Sequence, residues 1–135
     1  MKTLLPLMVL LLFGSCATAT VIVPENLSPA EIIQRAQEAL DRNRYNTAIQ
    51  YYQTLMERNP YNLNLVCEAE YAIAFINYKQ KKYEEARDKF DTLLRRYDEP
   101  FAESLPQHFR VLARKVLEQI EVKENQSFFR KKPKR

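Results

Sequence analysis

Residues 82–98 read KYEEARDKFDTLLRRYD, and residues 44–60 read RYNTAIQYYQTLMERNP. Wound as a helix, the first stretch puts Tyr83, Ala86, Phe90, Leu93, Leu94 and Tyr97 on one side and charges on the other. The second does the same with Tyr45, Ala48, Ile49, Tyr52, Leu55 and Met56. Tyr45 matches Tyr83, Ala48 matches Ala86, Tyr52 matches Phe90 and Leu55 matches Leu93, always at an offset of 38. A single apolar stripe does not hold a helix in water; it has to be covered by other elements. Self-similarity at this period indicates stacked helix pairs.

The covering elements lie on either side of each copy. LSPAEI at 27–32 opens helix one, with Ser28 as cap, Pro29 in the first turn, Glu31 closing a capping box, and Leu27 against Ile32 as a staple. Helix one is expected over about 29–42, facing inward through Ile32, Ile33, Ala36, Ala39 and Leu40. Helix two runs from near Tyr45 to before Pro60. Helix three covers about 63–80 and is apolar nearly all round between Ala69 and Ile76, as befits the middle of a stack. Helix five, about 106–122, has one apolar face (Phe109, Leu112, Ala113, Val116, Leu117, Ile120) and one wet face, which suits the end of an array.

Composition agrees. The one glycine, Gly14, precedes all of this, and a sheet protein with many tight turns needs more. The expected fold is therefore all-α: two helix pairs plus a C-terminal capping helix. The expected organisation is a signal peptide over 1–15, a tether over 16–27, the helical domain over 28–122 and a basic disordered tail over 123–135. That tail holds six basic residues against Glu124, whereas Cys16 to Val122 holds 14 basic and 16 acidic residues. The basic pI thus belongs to the tail.

The first residues, MKTLLPLMVLLLFGSC, place Lys2 before an apolar run too short to span a bilayer, the pattern of a secretory leader. Phe13-Gly14-Ser15-Cys16 resembles a bacterial lipobox, which implies acyl chains on Cys16 as a membrane anchor. Ala17-Thr18-Ala19 offers an ordinary cleavage site and a soluble periplasmic product instead. Cys67 reads as a small buried hydrophobe.

Chemistry-bearing motifs are sparse. His108 is the single histidine, and adjacent acids such as Glu84 and Glu85 do not face each other on a helix. No phosphate loop, nucleophile elbow or metal-ligand spacing occurs. The expectation is no enzyme, no cofactor and no metal. Nucleic acid is not an expected partner of an exported chain, although SFFRKKPKR sets basic residues beside rings.

Tyr, two polar residues, Ala, three residues, an aromatic, two residues, an apolar residue and then Pro60 resemble the second helix of a tetratricopeptide repeat. Ala48, Tyr52 and Leu55, with Ala86, Phe90 and Leu93, stand at its defining positions. Ala36 and Ala74 stand at the small position of the first helix. The period is 38 rather than 34, which places extra residues in the connection around 61–65. In such arrays the first helices line a concave face. The resemblance implies a peptide-binding groove of Ile33, Gln37, Tyr71, Phe75, Tyr78 and Lys79. Tyr71, Phe75 and Tyr78 share one helix face; they either form that groove or lie under helix five as core.

Cys16, SPAEIIQRAQEAL, RYNTAIQYYQTLMERNP and AIAFINYKQKKYEEARDKF in this order resemble the amino-terminal part of BamD-type outer-membrane assembly lipoproteins, over about 16–98. The resemblance implies an adaptor anchored by lipid to the periplasmic face of the outer membrane. Its implied partners are a BamA-type barrel component and unfolded β-barrel proteins. Family members carry further repeats; here one helix and a basic tail follow. The other reading is a generic periplasmic scaffold lipoprotein in envelope organisation or solute transport.

Overall fold

The structure is a computed structural model that describes residues 20–131. The leader, both processing sites and Cys16 lie outside the described residues, as do residues 132–135. Five α-helices follow in order: α1 (Pro29–Asp41), α2 (Tyr45–Arg58), α3 (Leu63–Lys79), α4 (Tyr83–Arg95) and α5 (Gln107–Lys131). Short 3-10 turns at Arg96–Asp98 and Ala102–Ser104 link α4 to α5. There is no strand among the described residues.

The local chemistry explains the starts. Glu31 N–H donates to Ser28 Oγ (3.4 Å) and Ser28 N–H donates to Glu31 Oε2 (2.8 Å), so two otherwise orphaned donors are satisfied reciprocally. At α3, Leu65 N–H donates to Asn62 Oδ1 (3.3 Å). Neither α2 nor α4 has a side-chain cap. Each is entered from a turn that closes the helix before it. Arg44 N–H donates to Ala39 C=O (2.8 Å) and Asn43 N–H to Leu40 C=O (2.9 Å). Lys82 N–H donates to Asn77 C=O (3.0 Å) and Lys81 N–H to Tyr78 C=O (2.9 Å).

Helices pair as α1 with α2 and α3 with α4; α3 also packs on α2 and α5. Two core clusters result. One gathers Ile32, Ala36, Ala39, Ala48, Tyr52 and Leu55 with Ala69, Ile73 and Ile76 of α3. The other gathers Cys67 and Ala74 of α3 with Ala86, Phe90, Leu93, Tyr97, Ala113, Val116 and Ile120. Ala36, Ala48, Ala74 and Ala86 are fully buried; a methyl is all that fits where the helices approach. Arg96 grips Glu70 of α3 through two 2.7 Å hydrogen bonds, and Tyr97 O–H donates to Pro106 C=O (2.9 Å). These contacts fasten the turn between α4 and α5.

Four expectations need correction. The extra residues of the period are not in a longer loop. Helix α3 has 17 residues against 13 in α1, so they form one added helical turn at its start. Residues 123–131 are not a disordered tail, because α5 continues to Lys131. Glu124 pairs with Arg87 of α4, and Lys123 Nζ lies 5.9 Å from the centre of the Tyr78 ring. The described part of the tether is docked. Val21 N–H donates to Gln50 Oε1 (2.6 Å), and Val23 and Leu27 pack on the first cluster. Leu112, expected inside, is 39% exposed.

Candidate functional site

The positions expected to line a groove fall on α1 and α3. Ile33 and Gln37 stand one period before Tyr71 and Phe75. Ile33 is half-buried against the first cluster, and Gln37 and Lys79 are exposed. Tyr71, Phe75 and Tyr78 are half-buried against the second cluster.

The rings form one continuous run. Tyr71 stacks on Phe75 with centroids 5.9 Å apart and planes 11° from parallel. Tyr71 also meets Phe90 of α4 (5.7 Å) and Phe109 of α5 (5.4 Å). Phe75 meets Tyr78 (5.8 Å), and Tyr78 meets Tyr83 (6.0 Å). Burial pushes the Tyr71 phenol up, so it stays a neutral hydrogen-bonding group. Helix α5 covers the run through Phe109 on Tyr71 and Gln119 on Tyr78, and the three rings remain half-buried. Between the two readings of these rings, the structure lies midway.

Residues that sequence reasoning did not place here come from α5. Tyr78 O–H donates to Gln119 Oε1 (2.9 Å). Tyr78, Lys115, Glu118, Gln119, Val122, Lys123 and Gln126 border an open cleft of about 600 Å³. Lys115, Gln119 and Lys123 recur every fourth residue, a signal present in the sequence and overlooked because α5 was expected to end at Val122. The arrangement is an aromatic floor with an end bordered by Lys115, Lys123 and Glu118. It can dock a segment by stacking and hydrogen bonding.

His108 is exposed, its ring 4.0 Å from that of Phe109. Burial pushes the Glu68 carboxyl up, with His108 pulling the other way. Cys67 is free and buried, and burial pushes its thiol up, away from the reactive thiolate. Among the described residues, no group of three or more His, Cys, Asp or Glu side chains is placed to hold a metal ion. No described helix is long and apolar enough to cross a membrane.

No family model matches the chain, and no solved structure matches it. It is similar to an uncharacterized protein of Treponema pallidum (strain Nichols), 37% identical over 84 residues that make up 62% of this chain. The match covers 34% of that relative, so this chain spans about a third of its length.

Proposed function

We propose that this chain is a non-enzymatic adaptor of the tetratricopeptide type, held at the periplasmic face of the outer membrane by acyl chains on Cys16. In this reading it serves β-barrel protein assembly beside a BamA-type partner. It receives segments of unfolded barrel proteins on the floor of Tyr71, Phe75 and Tyr78. The observation that carries the reading is the half-buried ring run itself. Aromatic side chains aligned on one helix and left partly uncovered are the anchors by which proteins hold peptide segments. The buried repeat positions support the same reading: Ala86, Phe90 and Leu93 form the cluster on which the rings pack, and Ala48, Tyr52 and Leu55 pack on α3 through the first cluster.

The test is gentle detergent extraction of native membranes, capture of this chain and mass spectrometry of its partners and its N-terminal peptide. A heat-modifiable barrel protein together with acylated Cys16 supports the proposal. A chain beginning at Thr20 without a barrel partner overturns it. Capture of cell-wall proteins in place of a barrel points to the envelope scaffold.

A further inference from the structure

The segment ahead of α1 has a more definite course than a linker needs. Arg58, in the last turn of α2, donates from Nη1 to Pro24 C=O and from Nη2 to Val23 C=O, both at 2.8 Å. Just over two turns earlier, Gln50 accepts from Val21 N–H at 2.6 Å. Val23 and Leu27 turn inward onto the first core cluster, while Ile22, just before Val23, is 90% exposed. Residues 21–27 thus form a strap across the first pair. Gln50 and Arg58 lie off the buried stripe of Ala48, Tyr52 and Leu55, so the strap runs along the outer side of α2. Helix α5 packs on α3 and α4, at the other end of the array.

We propose that the strap turns the α1/α2 end of the array toward the lipid surface and holds it there, with the α5 end facing away. The inference rests on the reading that the chain is anchored at Cys16. With the strap docked, Val21 is five residue steps from Cys16, a reach of at most about 18 Å. With it released, Ser28 is twelve residue steps from Cys16, and the domain can stand off by about 40 Å and tumble freely. The exposed acids and bases of the first pair are mixed: Glu31, Asp41 and Glu57 against Arg35, Arg42, Arg44 and Arg58. Charge attraction therefore does not set this orientation; the two-carbonyl grip of Arg58 does. Ile22 adds an apolar side chain on the membrane-facing side.

The chain has no tryptophan, so a single introduced one reports position. Gln53→Trp on α2 and Arg114→Trp on α5 are made separately, both at exposed sites. The acylated proteins are placed in phosphatidylethanolamine–phosphatidylglycerol vesicles containing a nitroxide headgroup lipid. The expected result is stronger quenching at position 53 than at 114, with the ratio falling toward one when Arg58→Ala is added. Arg58→Lys, which keeps the charge and loses the fork, should fall between. Circular dichroism confirms that each variant keeps its helix content. Equal quenching at both positions, or a ratio unchanged by Arg58→Ala, overturns the proposal. An N-terminal peptide without acyl groups overturns the anchor reading alone. The same variants, begun at Cys16 and coupled through that thiol to maleimide lipid while buried Cys67 is spared, then still read the orientation.

Discussion

Asn43 and Lys81 hold the same left-handed backbone conformation, φ 55° and 63°, at the same point of the two helix pairs. Each closes its turn by donating three residues back, and each hands the chain to a helix without a side-chain cap. Asn tolerates this geometry; Lys carries a Cβ that opposes it, at a cost of about 1–2 kcal/mol. Lys81→Gly should therefore raise the urea midpoint, with a net gain of about 0.5–1 kcal/mol after the added freedom of the unfolded chain. Lys81→Val should lower it, and Asn43→Gly should change it less.

Tyr52 and Phe90 occupy equivalent buried positions, and only Tyr52 ionises. Burial pushes its phenol up to about 12, helped by the charge of Glu68. In the unfolded chain the value is about 10. The folded state thus keeps a proton that the unfolded state releases. Stability is fully present below about pH 10 and is lost as pH rises toward about 12. Tyr52→Phe should flatten the fall of melting temperature in alkali while leaving the neutral value little changed. Melts from about pH 8 to about pH 11 read the difference.

Phe90 is fully buried and Leu112 is 39% exposed, although both belong to apolar stripes. Phe90→Ala should cost about 3–5 kcal/mol, through lost burial and the cavity left behind. Leu112→Ala should stay within about 1 kcal/mol, since much of its surface already meets water. Parallel denaturant titrations of the two variants check the contrast.

Arg87 and Glu124 tie the extension of α5 to α4, each about one-third exposed. Their pairing is worth at most about 1 kcal/mol and is screened by salt. Arg87→Ala should leave global stability nearly unchanged. Amide hydrogen exchange at 123–128 should quicken, while exchange at 113–120 should not.

Signals that are local in the chain were readable without the structure. Ser28 and Glu31 bond reciprocally at the predicted start of α1, and α3 borders both cores as its all-round apolar character requires. The spacing of Tyr71, Phe75 and Tyr78 also put three rings on one face. What escaped depends on partners distant in sequence. The strap needs Arg58 and Gln50, 29 to 35 residues away. The extension of α5 past Val122 meets Arg87 and Tyr78, which a reading of 123–135 by charge alone does not see. The exposure of Leu112 follows from how α5 turns against α3 and α4, a choice between neighbouring faces that periodicity leaves open.

Helix α3 gives Ala69, Ile73 and Ile76 to one cluster and Cys67 and Ala74 to the other. The two halves therefore share a wall, and neither can melt while the other stays dry. Arrays joined only at their edges unravel from an end, unit by unit. This one should instead lose its near- and far-ultraviolet dichroism together, in a single transition of the whole molecule.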